Sequence, residues 1–188
     1  MSKNCGVVGV SDHGGWAILV TATRDGALLD RRRVELVADD LPAIPHHHEA
    51  QLLPIDKGVA LVERVRASAE RHAARALDAV AAVVPKILGV ALRTRPELPP
   101  TIAERIRDHR ARNVADWVMY RNALAAAAEA RGWPVYWYDP KKVTDSASEA
   151  LAVDFDAYFS EMRAEVGPPW NADHKLAFAA AITAARAR

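Results

Sequence analysis

The sequence predicts an α/β domain built on a five-stranded mixed sheet and closed by C-terminal helices. Two observations carry this. Three β-rich runs joined by Gly-bearing turns fill the first forty or so residues. Two further strand-like runs follow, each preceded by a helical stripe, and strands separated that way lie parallel through right-handed crossovers.

The elements follow in order. Cys5 to Ser11 (CGVVGVS) is a nearly continuous apolar run, the pattern of a central strand buried on both faces. Asp12-His13-Gly14-Gly15 breaks it. Trp16 to Thr23 is the second strand, and Asp25-Gly26 suits a two-residue type I′ hairpin. Ala27 to Val37 returns with Asp30, Arg31, Arg32, Arg33 and Glu35 on it, as a half-exposed edge strand does. Asp39 to Pro54 is a long loop rich in Pro and His, after which Asp56 is placed to cap a helix. Apolar residues from Val59 to Val84 then step by three or four until Pro85. Lys86 to Arg93 is the fourth strand. Thr101 to Glu104 fits a capping box, and the helical pattern runs on to about Ala130 with a break expected near Asn113. Pro134 to Tyr138 is the fifth strand. Helices are expected over about 146–166, interrupted at Asp154, and 171–187, with Gly167-Pro168-Pro169 between them.

At 188 residues the chain is expected to form a single domain, with a core over 1–145 and a C-terminal helical segment over 146–188. A hydrophobic fraction of 51% supports a sizeable core. The net charge of +1 demands neither a nucleic-acid nor a membrane partner. Cys5 is the single cysteine, so no internal disulfide forms. No basic-then-apolar leader opens the chain, and the most apolar stretch, Ala73 to Leu92, carries Arg75, Asp78, Pro85 and Lys86. The expectation is a cytoplasmic protein without a membrane span. Nucleotide-cradling, zinc-protease and serine-nucleophile motifs are absent.

Three stretches carry a family resemblance: Gly9-Val10-Ser11-Asp12-His13-Gly14 at the end of the first strand, Tyr136 to Val143 around the fifth, and Asn171 to Ala181 at the start of the last helix. With the element order, they make the chain resemble the ribonuclease H-like superfamily, and within it RuvC-type Holliday-junction resolvases. The resemblance implies strand order 3-2-1-4-5 with helices on both sheet faces, a nucleic-acid partner, and Asp12 and Asp173 as carboxylates of a two-metal site for Mg²⁺ or Mn²⁺. The chain departs from the pattern in two places. Arg93 stands where the family carries an acid at the end of the fourth strand, and Asp173 is followed by His174 rather than a second acid.

Pro45-His46-His47-His48-Glu49 is the other unusual feature. In an extended segment His46 and His48, or His47 and Glu49, would converge, and imidazole with carboxylate suits Zn²⁺ or Mn²⁺ better than Mg²⁺. His beside an acid recurs at Asp12-His13, His48-Glu49 and Asp173-His174, each at an element end. The composite site expected from this joins Asp12, His13, His47, His48, Glu49, Asp173 and His174, with Asn171 as helix cap. Metal held by Asp12, His47, His48, Glu49 and Asp173 would activate water, and a histidine such as His174 would move protons. The function expected is a metal-dependent phosphodiesterase or nuclease. The alternative is a non-catalytic domain of the same fold binding a partner protein or small ligand at the strand ends. The Ala-rich last helix offers a homodimer face in either case.

Overall fold

A computed structural model describes residues 5–187. Strands β1 (Cys5–Asp12), β2 (Trp16–Ala22), β3 (Leu28–Glu35), β4 (Lys86–Arg93) and β5 (Val135–Tyr138) form one sheet in the order β3-β2-β1-β4-β5. β1, β2 and β3 pair antiparallel, while β4 and β5 run parallel to β1. The expected sheet is therefore the observed one.

Alternation along the strands divides the core into two layers. Val8, Val10, Leu19, Val90 and Leu92 face helices α1 (Ile55–Ala81) and α3 (His109–Glu129). Val7, Ile18, Val20, Ala91 and Tyr138 face α4 (Val143–Leu151), α5 (Phe155–Val166) and α6 (Ala172–Arg186). The C-terminal helices thus pack on one face of the sheet, with α6 lying along β1, β2 and β4. Gly9 sets how closely α6 sits, because a Cβ there would lie 1.9 Å from the carbonyl oxygen of Ala177.

Several local expectations are corrected. Only Gly26 of the first hairpin has positive φ, so the turn is not type I′; Thr23 and Ala27 close a longer loop beside a register shift at Thr21/Ala22. Asp56 lies in the first turn of α1, whose cap position is Pro54. The break in the second helical stretch falls at Asp108, not Asn113. Asp108 ends the short helix α2 (Ile102–Arg107), and its side chain accepts from the N–H groups of Arg110 and Ala111 to start α3. The Thr101–Glu104 capping box and the Asn171 cap form as expected, and at the expected interruption Asp154 caps α5 by accepting from the N–H groups of Asp156 and Ala157. Among the described residues no helix is long and apolar enough to cross a membrane.

Candidate functional site at the strand ends

The loop after β3 crosses the β1–β2 turn: a Cβ on Gly14 would lie 2.6 Å from Ile44, and one on Gly15 2.9 Å from Ala43. The segment therefore passes beside the end of β1. It is coiled rather than extended, with the N–H of His48 donating to Ile44 and that of Ala50 to Pro45. The side-chain convergence expected of an extended segment does not arise. His48 is exposed, His47 tilts against it at 4.7 Å, and Glu49 lines a shallow groove against α1 with Lys57 and Arg64.

Side-chain alternation at the end of β1 decides the rest. Asp12 points toward α3, where the Nε of Arg121 donates to its Oδ2 at 2.8 Å. Arg93 approaches Oδ1 at 3.9 Å, and among the described residues neither that oxygen nor the Arg93 Nε has a hydrogen-bond partner. Arg121 also donates to the carbonyl of Thr94, which ties α3 to the end of β4. The Asp12 carboxylate is fully buried.

Ser11 points the other way, toward α6. Its hydroxyl donates to Asp173 Oδ1 at 3.0 Å, and the same oxygen lies 2.7 Å from Nε2 of His13. The His13 ring stacks on Trp16 with centroids 3.9 Å apart, and the Arg33 guanidinium lies 4.0 Å from that indole. Asp173 stands between Ser11 and His13, so the three do not form a nucleophile relay, which needs the base next to the hydroxyl. Asn171 caps α6 by accepting from the N–H groups of Asp173 and His174, and from His174 Nδ1 at 2.8 Å. Burial lowers the pKa of His174, Arg31 lowers it further, and Asp173 opposes them. His174 packs against Trp170 as a buried side chain.

Of the expected site residues, the structure brings together His13 and Asp173 on the α6 side. Asp12 lies across the sheet from them in an arginine pocket, His174 turns inward, and His47, His48 and Glu49 belong to the loop's own turn. Tyr138 reaches the same end of the sheet: its hydroxyl donates to Val10 at 2.6 Å. Its pKa is pushed up to about 12, chiefly by burial, with Asp12 raising it and Arg93 and Arg121 opposing.

A two-metal centre needs several carboxylates around one space. Here one carboxylate is bound by Arg121 and another by Ser11 and His13, with Arg93 adjacent. Among the described residues no group of three His, Cys, Asp or Glu could hold a metal ion. The donor set does not fit such a centre.

Two residues escaped the sequence reading, Arg121 and Asp116, while Ser11 was read only as part of the first-strand motif and His46 only as a partner for His48. Strand alternation with Gly9 and Ser11 on one face would have separated Ser11 from Asp12. No local pattern points to Arg121 or Asp116, which lie within a helix.

No protein-family model matches the chain, and no curated protein matches it by sequence. Solved structures do. A Thermus thermophilus RuvC structure aligns with TM-score 0.52 at 16% identity, covering 96% of this chain and 93% of that one. T. thermophilus RuvC in complex with a Holliday junction substrate aligns with TM-score 0.51 at 15% identity, covering 96% and 92%. The fold is ribonuclease H-like. It resembles RuvC over nearly the whole of both chains, and at this identity the likeness is one of fold.

Proposed function

We propose that the chain is a RuvC-like domain that binds structured nucleic acid across its strand ends. One observation carries this: cation–aromatic pairs flank the strand ends on both sides. Arg33 lies over Trp16 on one flank, and Arg95 lies 4.4 Å from the Trp137 ring, which is 39% exposed, on the other. Arg93 stands between them, and Lys141 and Lys142 follow β5. Trp137 is the exposed indole of the two, Trp16 being half-buried under His13 and Arg33, and arginines beside indoles suit phosphates and unstacked bases together. The RuvC structure bound to a Holliday junction supports the same reading.

A second reading, phosphodiester cleavage at this face, has its own observation. Asp173 holds the Nε2 side of His13, leaving Nδ1 as the second nitrogen of an oriented imidazole, and such a ring can exchange protons with a reacting phosphate. The donor set gives no route through a carboxylate-bound metal pair.

One experiment reads both. A four-way DNA junction and a linear duplex are titrated with protein at two salt concentrations, then incubated with Mg²⁺, with Mn²⁺ or with chelator. Junction binding that weakens with salt and falls in Arg95→Ala and Trp137→Ala supports the binding reading. Failure to bind at low salt and micromolar protein removes it. Cleavage lost in His13→Ala and Asp173→Asn supports the second reading, and binding without cleavage under every condition removes it.

A further inference from the structure

The alanines of α6 from Ala177 to Ala185 are all buried in the chain's own core, so the homodimer face expected there is not free. An apolar face is left open elsewhere. The long loop ends in a short helical turn, Ala50–Leu52, just before α1. Leu52 is 82% exposed and Leu53 42%. With Pro42 and Leu61 they line a groove of about 680 Å³ against α1. Scattered exposed leucines are ordinary, whereas neighbouring ones that share a groove mark a contact surface.

The leucines are held there by a fastened loop. Gly58 lets the turn sit against α1, since a Cβ there would lie 2.7 Å from the carbonyl oxygen of Ala50. Asp116 of α3 is fully buried and accepts the backbone N–H groups of His46 and His47, each at 3.1 Å. One turn further along α3, the Tyr120 hydroxyl donates to Ala43 at 2.6 Å. The loop therefore presents Leu52 and Leu53 to solvent instead of folding them inward.

Charge decides what covers them. Glu49, Lys57 and Arg64 also line the groove. Among the described residues none of these three side chains makes a hydrogen bond or an ion pair within the chain, although both signs are present. The Oε2 atom of Glu49 is buried, so its carboxylate would meet a partner through Oε1. A nucleic acid would face Glu49 and four apolar side chains. A purely acidic or purely basic partner would match one sign only, and an aliphatic ligand neither. A second copy supplies leucines, a carboxylate and cations together, because a two-fold contact sets one patch against the same patch. At 27 residues α1 is about 40 Å long, enough to carry the roughly 800 Å² per copy that a stable dimer buries.

We propose that two copies of the chain meet at this groove about a two-fold axis. Leu52 and Leu53 of each copy are covered by the other, and Glu49 of each pairs with Lys57 or Arg64 of the other. The contact stands apart from the strand-end reading, since it needs no nucleic acid.

The test is sedimentation equilibrium of the full-length protein from low micromolar to submillimolar concentration. The expected result is a monomer–dimer equilibrium that Leu52→Asp weakens about tenfold or more, with thermal melts showing the variant folded. Glu49→Arg alone sets like charges across the axis, and so does Arg64→Glu alone. Neither should self-associate as the wild type does, but a mixture of the two restores opposite charges at both pairs and should form a heterodimer. Lys57→Glu in place of Arg64→Glu identifies which cation meets Glu49, and recovery with either supports the contact. A chain that stays monomeric throughout overturns the proposal. So does a dimer indifferent to Leu52→Asp, or a mixture no stronger than its components with either cation variant. A monomer whose Leu52 methyl resonances shift with dodecanoate would assign the groove to an aliphatic ligand and reject the dimer. Junction binding by a chain that never dimerises would retain the strand-end reading and reject this one.

Discussion

Replacing Arg121 with Met tests whether the end of β1 is held by charge pairing. The methionine keeps much of the aliphatic length and removes the guanidinium that donates to Asp12 at 2.8 Å. Asp12 has no exposed side-chain surface and Arg121 only 8%. The carboxylate left behind would have only Arg93, at 3.9 Å and poorly placed. Removing one partner of a buried pair costs about 3–5 kcal/mol, since the other charge stays desolvated. At about 2–4 °C per kcal/mol for a domain of this size, the melting temperature should fall by about 6–20 °C. Asp12→Asn in the same background should recover part of the loss, because the neutral amide no longer needs a counter-charge. Urea denaturation of the two single variants and the double variant closes the cycle and isolates the pair. A loss in Arg121→Met below about 1 kcal/mol, the range of exposed ion pairs, would show that solvent reaches Asp12 and would refute the buried-pair argument.

Three further outcomes follow from the packing and the caps. Gly9→Ala should destabilise by about 1–3 kcal/mol or more, because its Cβ would lie 1.9 Å from Ala177 and push α6 off the sheet; an unchanged urea midpoint would contradict the close approach. Thr101→Ala removes the hydroxyl that accepts from Glu104 N–H and should cost about 1 kcal/mol, read as a lower midpoint with an unchanged denaturant slope. His174 has a folded-state pKa below its ordinary value, chiefly from burial and further from Arg31, so protonation favours the unfolded chain. Its contribution is complete above about pH 6.5 and is lost as pH falls from there through the folded-state pKa. Urea midpoints at pH 7.5 and pH 5 should therefore differ less in His174→Gln than in the wild type, and an identical difference would show that His174 does not titrate with folding.

The order of elements was legible because each rests on a local signal, whereas the strand order came from the resemblance. Val8 and Val10 alternate with Val7 and Gly9, the α1 stripe repeats at helical spacing, and Asn171 and Thr101 have the chemistry of caps. What escaped the reading depends on which layer covers which face. Asp12 and Asp173 were both assigned to strand-end positions, but their side chains emerge on opposite sides of the sheet. Arg121 meets Asp12 only because α3 packs on the Val10 side, a fact of tertiary packing that no spacing in the helix announces. In the His-rich loop the residue that turns inward is His46, because Asp116, seventy positions away, gathers its backbone and ring together. The hairpin was misread for a different reason. Asp25-Gly26 has the residues for positive φ at both centres, but the register shift between β2 and β3, which leaves Leu29 unpaired, lengthens the loop, and Gly26 alone adopts it.

A one-residue phase on a strand separates the fold of this chain from the chemistry its resemblance implies. Residues 11 and 12 of β1 face different helices, so an acid at 12 meets an arginine on α3, while Asp173 on α6 finds a serine. Had the acid stood at 11, two carboxylates would lie about a hydrogen bond apart and repel unless a cation joined them. With the acid at 12, Arg121 supplies the positive charge from within the chain, and Asp173 is left to orient His13. The same sheet thus holds either a cation-requiring pair or two acids each given hydrogen-bond partners from within the chain, with no change in topology. Likeness to RuvC over nearly the whole chain therefore speaks for the scaffold and does not by itself supply a reaction. The proposed junction binding would rest on the flanking arginines and indoles and the proposed phosphodiester cleavage on His13 and Asp173, so the two readings are physically separable.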